Sequence, residues 1–496
     1  MSVSIAQPIT TSRAQKIGES DHAKNLVERQ LVDLSCKKVV SLLFATSLFW
    51  LLMGSALAIA ASMKLHMPEF LGGSDWLTFG RVRPAHLNTM AYGWVSTACL
   101  GVGLWLMSRL TRVELRQGPL LWIGAISWNI GILVGTAGIL RGDSTSIEWL
   151  EFPYYATPFL LISFAIFMFE IIRMMNHRQP GHVYISQWYV LAAFCWFPWL
   201  YATATILLVW FPVQAPAMPP INWWFAHNAL GLWFTPVCLA AAYYLIPKVI
   251  GKPIHSYYLS MVGFWSLAFF YAWNGMHHLI GGPFPAWLIS ASIAASVMML
   301  VPVITVAINH HMTMRGSFDA VRWSPTLRFV VFAAMSYTLV SIQGSTAAIR
   351  PLNQITHFTH YTVGHAHLGM YAFVTMMLFG AIYYIMPRLW NREWPSAFLI
   401  KSHFWLCVLG ISLMTFSLSI GGWIQGWEMN KAEKGFMEIM QITIPYLQAR
   451  SVSGGILTLA HLAFVLSFTL LLMGWSPKGG RPTLLAQPRH TETVST

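Results

Sequence analysis

Uninterrupted apolar runs of spanning length recur along almost the whole chain and constrain its fold more than any other feature. A helix needs about 20 apolar residues to cross the hydrocarbon core of a bilayer. Continuous runs exclude a transmembrane β-barrel, whose strands of about ten residues alternate polar and apolar side chains. The sequence therefore predicts an all-α, polytopic membrane protein with about twelve transmembrane helices. The predicted helices cover 39–63, 85–108, 118–140, 154–173, 187–211, 221–246, 256–280, 285–308, 327–349, 361–386, 398–421 and 454–475.

Charged residues are scarce and unevenly placed. They make up 9% of the 496 residues, against roughly 25% in an ordinary soluble domain, which excludes a water-soluble enzyme and a disordered chain. With the N-terminus inside, the inner side holds 22 Lys and Arg and the outer side 8, whereas acidic residues divide 9 to 8. This bias predicts that both termini are cytoplasmic. The net charge of +13 therefore indicates orientation in a lipid bilayer and not binding to nucleic acid.

Three segments are expected along the chain. Residues 1–38 form a polar cytoplasmic N-terminal tail without the apolar core of a signal peptide, residues 39–475 form the transmembrane domain, and residues 476–496 form a cytoplasmic C-terminal tail. The five cysteines are scattered, and no Cys-x-x-Cys-His motif occurs. We therefore expect no c-type haem on this chain.

Seven histidines lie well inside apolar runs, where ionisable residues are costly and are usually functional. One of them, His461, is interpreted as a hydrogen-bonded packing residue, as is His403 near the start of its helix. The other six have a spacing that needs a joint explanation. They are His86, His227, His277, His278, His365 and His367.

The spacing of these histidines indicates several metal centres. His365 and His367, two residues apart, point about 200° apart on a helix, so they can serve two centres that flank it, and imidazole is a common axial ligand of haem iron. His277 and His278 diverge by only about 100° and can reach one metal. With His227 as a third ligand, the set suits copper or another transition metal.

Residues near these histidines add to the site. His86 can supply a second axial haem ligand, and Arg81 and Arg83 precede it at the outer edge of the same helix, where they could bind haem propionates. Tyr271 lies seven residues before His278, about two helical turns, and so on nearly the same face. A phenol beside a metal that handles dioxygen can supply an electron and a proton, although an aromatic packing role is the alternative.

Together, NWWFAHN, a tyrosine six residues before a His-His pair, and GHAHLG resemble the catalytic subunit of the haem–copper oxidases, specifically the cbb3-type (C-family) cytochrome c oxidase subunit I. The resemblance covers about residues 40–475 and implies the subunit I fold for the catalytic transmembrane domain. It also implies a low-spin haem b, a high-spin haem expected to be b-type, and copper. The implied ligands are His86 and His367 for the low-spin haem, His365 for the high-spin haem, and His227, His277 and His278 for copper.

The resemblance further implies that Tyr271 is redox-active and covalently joined to His227. In the mitochondrial-like oxidases the tyrosine lies four residues after the first copper-binding histidine. In cytochrome c-dependent nitric oxide reductases that same position is a glutamate, which binds a non-haem iron. This chain has Gly231 at that position. Gly231 favours the cbb3-type, and Tyr271 favours oxygen reduction.

One position departs from the resemblance. The usual cbb3-type sequence has a glutamate where this chain has Gln343, and the loss of that carboxylate affects either the proton pathway or the surroundings of the metal site. Ser260 matches the family's single proton channel, and Tyr244 and Ser266 are further candidates. Ordinary interhelical hydrogen bonds are the alternative for all three.

The implied activity is that of a terminal respiratory oxidase, which reduces dioxygen to water with electrons from cytochrome c and translocates protons. The location would be the inner membrane of a prokaryotic cell, and c-type cytochrome subunits would be partners because the chain itself lacks the haem c motif. Glu148 and Glu151 could support a calcium ion near the haem propionates, or be ordinary loop acids. The alternative functions are a nitric oxide reductase with non-haem iron in place of copper, and a secondary transporter, which can also have twelve helices.

Overall fold

The computed structural model of the protein describes residues 11–116, 118–431 and 433–478. Within these ranges the chain is helical apart from short connections and contains no β-strand. Eleven helices are long and apolar enough to cross a membrane. The predicted all-α, polytopic fold is therefore confirmed, while residues 1–10 and 479–496 of the two predicted tails lie outside the described residues.

Twelve helices correspond one to one with the predicted apolar runs. Their bounds are α1 Thr11–Lys64, α2 Phe79–Thr111, α3 Pro119–Arg141, α4 Thr157–Asn176, α5 Ile185–Trp210, α6 Ala215–Ile250, α7 Tyr257–Tyr271, α8 Ala286–Met314, α9 Pro325–Ala347, α10 His360–Trp390, α11 Ala397–Met429 and α12 Phe436–Leu472.

Helix α1 begins much earlier than the apolar pattern predicts, at Thr11 instead of residue 39. Its polar part is fixed by the inner end of α2, because the carboxylate of Asp33 accepts hydrogen bonds from Trp105 and Arg109, each at 3.0 Å. Arg112 likewise binds Glu28. The polar residues therefore extend a membrane-spanning helix at its N-terminal end.

Helix α7 is shorter than predicted. It ends at Tyr271, and a separate 3-10 turn over Asn274–Leu279 replaces the last part of the predicted run. Gly275 allows this turn to pack against α6, since a Cβ atom there would overlap the backbone carbonyl of Trp223. The turn is held on its other side by Ser292 of α8, whose Oγ accepts a hydrogen bond from the backbone N–H of His277 at 2.8 Å.

Three helices form the centre of the molecule. The apolar windows of α2, α6 and α10 are 94%, 89% and 89% buried, whereas those of the other spanning helices are between 39% and 50% buried. Each central helix contains a π-helical segment, a wide turn that is often found at functional sites. These segments are Thr89–Ser96, Leu230–Phe234 and Leu368–Thr375.

Indole hydrogen bonds join the three π-helical segments. Nε1 of Trp233 on α6 donates to Oγ of Ser96 on α2 at 3.1 Å. Nε1 of Trp94 on α2 donates to Oγ1 of Thr375 on α10 at 3.0 Å. The central helices are thus linked directly through the segments that follow His86, His227 and His367 in sequence.

Candidate metal centre

Three histidines converge beside α6. The ligand nitrogens of His227, His277 and His278 all lie within 4.8 Å of one another. His227 comes from α6, and the other two come from the turn after α7. Among the described residues this is the one group of at least three His, Cys, Asp or Glu side chains that could hold a metal ion.

The groups around the three histidines indicate which ring nitrogens are free to bind a metal. Oγ of Ser296 donates to the carbonyl of Ser292 at 2.8 Å, so it must accept at 2.8 Å from Nδ1 of His277, which leaves the lone pair of His277 on Nε2. The ring of His278 stacks on Trp223 with centroids 4.0 Å apart. Nδ1 of His227 is buried without a hydrogen-bond partner in the described part of the chain. Neutral imidazoles with free lone pairs suit copper, because a hydrogen bond on one ring nitrogen orients the other towards the metal.

Tyr271 lies against this cluster, and Gly231 makes room for it. The ring centroids of Tyr271 and His227 are 4.8 Å apart. A Cβ atom at Gly231, one turn along α6 from His227, would overlap the Tyr271 ring. The absence of a side chain at Gly231 therefore has a steric reason, which the sequence comparison among oxidases could not supply.

The other three candidate ligands have the same protonation pattern. Nδ1 of His86 donates to the carbonyl of Gly54 at 2.9 Å, and Nδ1 of His367 donates to the carbonyl of Val363 at 2.8 Å. Nδ1 of His365 donates to Oε1 of Gln343 at 3.2 Å.

Because carbonyl oxygens only accept, the proton of each of these rings lies on Nδ1 and the lone pair on Nε2. That is the tautomer required of an axial ligand whose other nitrogen is hydrogen-bonded.

The structure separates the His-x-His pair into two environments. His365 lies close enough to His227, His277 and His278 to interact electrostatically with each of them. His367 interacts instead with His86. His365 and His367 therefore face different histidines, which agrees with the divergence of about 200° expected from their spacing.

Two other intramembrane histidines differ from the six. His461 uses both ring nitrogens in hydrogen bonds, at 2.8 Å to Ser55 and at 2.8 Å to Tyr371. Nδ1 of His403 is bonded to the hydroxyl of Tyr383 at 3.0 Å. Both are buried. His461 is hydrogen-bonded at both nitrogens, as predicted for a packing residue, whereas Nε2 of His403 has no hydrogen-bond partner among the described residues.

The arginines and acids at the start of α2 and after α3 form a network. Nη2 of Arg83 donates to Glu148 at 2.9 Å, and its Nη1 lies 3.7 Å from Glu151. Asn88 also donates to Glu151, at 2.8 Å. Burial raises the pKa of the Glu151 carboxyl to about 7. Arg81 is half-buried and donates to the backbone carbonyls of Asp75 at 2.8 Å and Leu140 at 3.4 Å.

The predicted proton-path residues do not meet. The hydroxyls of Ser260 and Ser266 donate to carbonyls of their own helix, at 2.6 Å and 2.5 Å. Tyr244 packs instead between Trp105 of α2 and Tyr384 of α10. The structure thus gives these three side chains no common hydrogen-bonded line.

Polar residues that sequence reasoning missed lie in the same region. The hydroxyls of Tyr243 and Tyr337 are buried and have no hydrogen-bond partner within the described ranges. The ring of Tyr243 packs on His310, with centroids 4.7 Å apart. For Tyr243 the available signal was its place in the apolar stretch AAYYLIP, because a tyrosine hydroxyl at membrane depth needs a hydrogen-bond partner.

Arg450 of α12 is a second residue that the sequence reasoning missed. Its guanidinium interacts electrostatically with both His86 and His367. In the sequence it was counted only as one of the 8 outer basic residues. The available signal was the position of Arg450 in a short polar stretch directly before an apolar run.

A small apolar cavity of about 220 Å³ adjoins the cluster. Trp224, Trp273, Met276 and Trp287 line it. Met276 belongs to the turn that carries His277, and Trp273 lies between that turn and Tyr271. An apolar cavity at this place suits a small uncharged ligand.

Comparison with known proteins agrees with this geometry. The family described as cytochrome c and quinol oxidase polypeptide I matches residues 38–456. The chain is 31% identical to a cytochrome c oxidase subunit 1 homolog of Azorhizobium caulinodans over 87% of this chain and 79% of that protein. It is 28% identical to the cbb3-type cytochrome c oxidase subunit CcoN1 of Stutzerimonas stutzeri, over 84% and 91% of the two chains. A solved haem–copper terminal oxidase dimer has the same fold, with a TM-score of 0.71 and 14% identity over 93% of this chain and 86% of that chain.

Proposed function

The chain belongs to the cytochrome c and quinol oxidase polypeptide I family, as a cbb3-type subunit I, and from that membership we propose that it reduces dioxygen to water as the catalytic subunit of a terminal oxidase. Electrons would come from cytochrome c, and the reaction would be coupled to proton translocation. Haem and copper chemistry follows from the family. The proposal adds which residues bind them, and it takes residues 39–475 as the catalytic domain between two cytoplasmic tails.

One observation carries this proposal. The six intramembrane histidines divide into His86 with His367 on one side, and His365 with the three-histidine cluster on the other. In the four whose Nδ1 is hydrogen-bonded, Nε2 keeps its lone pair. A low-spin haem needs two such ligands, a five-coordinate haem needs one, and copper needs three.

The protein's own contribution is orientation and exclusion of water. When bound, the two haems and the copper supply electron transfer and oxygen reduction. Gln343 orients His365, Ser296 orients His277, and Trp223 covers His278. The apolar cavity beside Trp273 would admit dioxygen from the bilayer.

Tyr271 would be the redox-active residue of the centre. Its ring lies 4.8 Å from that of His227, which suits a covalent bond between them after small movements. The phenolic O–H of Tyr271 would then donate its proton towards the cluster during oxygen reduction.

Protons would reach Tyr271 from the inner side. The buried, unpaired hydroxyls of Tyr243 and Tyr337 support a path through these residues, with Ser260 as the predicted entry and Ser266 and Tyr244 further from it. Such hydroxyls can be bridged by water, since polar cavities in proteins commonly hold ordered water.

The outer side would hold the haem propionates and the partner subunits. Arg450 supports a propionate role through its proximity to both low-spin ligands, and Arg81 and Arg83 would complete the set. Glu148 and Glu151 would bind calcium there, in competition with Arg83. A c-type cytochrome subunit would dock on this face in the inner membrane, with both termini of this chain cytoplasmic.

Metal analysis of the purified complex tests the proposal. We expect one copper per two haem irons in this subunit, and His278→Ala should lose the copper while retaining both haems. His403→Gln, a buried histidine outside the site, should leave all three metals in place. A third iron without copper would instead support the nitric oxide reductase, and a protein without any haem absorption would support a transporter.

Replacing Gln343 by glutamate is expected to lower the midpoint potential of the high-spin haem. A carboxylate accepts the Nδ1 proton of His365 more strongly than an amide does, so Nε2 becomes a stronger donor to the oxidised metal. A tenfold to hundredfold change in the affinity of His365 for oxidised relative to reduced iron corresponds to about 60–120 mV for one electron.

Spectroelectrochemical titration measures the potential, and the iron–histidine stretching frequency should rise as the potential falls. Thr346→Ala removes a half-buried hydroxyl of the same helical turn that bonds only the backbone carbonyls of Ile342 and Gln343, and it should change neither quantity. Equal potentials in Gln343→Glu and the parent protein would show that this hydrogen bond does not tune the haem.

A further inference from the structure

Four buried side chains form a hydrogen-bonded line that the proposed reaction does not use. The hydroxyl of Tyr371 on α10 lies 2.8 Å from Nε2 of His461 on α12 and 3.3 Å from Sγ of Cys407 on α11. Nδ1 of His461 lies 2.8 Å from Oγ of Ser55 on α1. Tyr371 is 6% exposed and His461 is 2% exposed.

The protons in this line have a definite direction. Oγ of Ser55 donates to the carbonyl of Leu51 at 2.7 Å, so it accepts from Nδ1 of His461. The lone pair of His461 is then on Nε2, and the phenol of Tyr371 must donate to it. Tyr371 therefore has a proton acceptor already in place.

The line adjoins both candidate ligands of the low-spin haem. Tyr371 lies in the π-helical segment Leu368–Thr375, four residues after His367. Four residues are close to one wide turn. Ser55 directly follows Gly54, whose carbonyl accepts the hydrogen bond from His86. The tyrosine and its base thus lie next to the hydrogen-bonding environment of His86 and His367.

We propose that Tyr371 is a second redox-active tyrosine, with His461 as its proton acceptor. The inference rests on the proposed function, because an oxidant formed from dioxygen or hydrogen peroxide at the haem–copper centre must take the electron. One electron leaves the Tyr371 phenol for that centre through the low-spin haem. The phenolic O–H bond breaks and an N–H bond forms at Nε2 of His461, which leaves a neutral tyrosyl radical and an imidazolium ion.

Such a residue gives the enzyme an electron when the external donor is slow. Tyr271 lies within the copper cluster, whereas Tyr371 lies on the side of the low-spin haem, so oxidation of Tyr371 moves the oxidising equivalent away from the reacting atoms. Cys407, in contact with the same hydroxyl, keeps the phenol oxygen hydrogen-bonded after the proton has moved.

A similar pair provides a matched comparison. Tyr383 on α10 is hydrogen-bonded to His403 at 3.0 Å and is equally buried. It lies twelve residues beyond Tyr371, about 18 Å along the helix axis. Loss of the Tyr383 hydroxyl should therefore disturb packing to a similar extent without removing the electron donor.

The test is freeze-quench electron paramagnetic resonance of the oxidised complex after mixing with hydrogen peroxide. We expect a narrow tyrosyl signal, which ring-deuterated tyrosine narrows further. Tyr371→Phe and His461→Gln should each lower its yield at least threefold, and Tyr383→Phe should leave the yield unchanged. Labelling the native protein with ring-deuterated tyrosine shows that the signal is a tyrosyl radical, and the comparison of Tyr371→Phe with Tyr383→Phe shows which tyrosine holds it.

Two results would overturn the inference while the proposed function stands. They are a native protein that binds carbon monoxide normally but gives no narrow tyrosyl signal, and an equal radical yield in Tyr371→Phe and the parent protein. A protein that lacks a carbon monoxide-binding haem would contradict the proposed function itself, and the inference with it.

Discussion

His367→Ala is expected to remove the low-spin haem and to leave the carbon monoxide-binding haem, whereas His365→Ala should do the opposite. His367 lies with His86, and His365 lies with the three-histidine cluster. Loss of a residue that only orients a ligand already costs about 10–100-fold in metal affinity, so loss of the ligand itself should empty one haem site. Reduced-minus-oxidised and carbon monoxide difference spectra report the two haems separately.

The control for this pair is His403→Gln, which should give both spectra unchanged. Its ring is buried among aromatic side chains and hydrogen-bonded to Tyr383. If His367→Ala removed the carbon monoxide-binding haem and spared the low-spin one, the assignment of the His-x-His pair would be reversed.

Gly231→Ala is expected to lower oxygen consumption by on the order of 100-fold, because a displacement of about 1 Å in a catalytic group can cost that much. The added Cβ would overlap the Tyr271 ring, and the helix backbone cannot retreat within a buried bundle. Tyr271 must therefore turn away from His227. Oxygen-electrode rates measure the loss, and mass spectrometry of the His227 peptide measures the proposed covalent bond.

Copper and haem content should remain normal in Gly231→Ala, because the ligands themselves are unchanged. Gly454→Ala on α12 is the matched control, since a Cβ there meets no atom within 4 Å. A Gly231→Ala protein with full activity would show that the Tyr271 ring can move without cost, and would argue against its catalytic role.

The helices were predictable because hydrophobic runs define where helices cross a membrane. The opposite directions of His365 and His367 also follow from an angle of 100° per residue. The same angle does not apply to His277 and His278, or to Tyr271 relative to His278, because the pair lies on a 3-10 turn beyond the end of α7. The break after Tyr271 was not predictable in this way. It depends on the contact of Gly275 with the Trp223 carbonyl, which joins residues distant in sequence.

The polar pathway was predicted least well for the same reason. Ser260 satisfies its hydroxyl within its own helix, as serine commonly does at membrane depth. Tyr243 and Tyr337 do not, but the sequence pattern cannot distinguish a paired hydroxyl from an unpaired one. The start of α1 was also missed, because Asp33 is stabilised by Arg109 of another helix.

The π-helical segments that follow His86, His227 and His367 also determine where residues can be inserted into or deleted from this chain. Removing one residue from Leu230–Phe234 would close the wide turn into regular helix and move the side chains within it. The indole of Trp233 would then lose its alignment with Ser96. Insertions and deletions should therefore be tolerated in the loops yet eliminated from these three segments, although none of the segments contains a metal ligand.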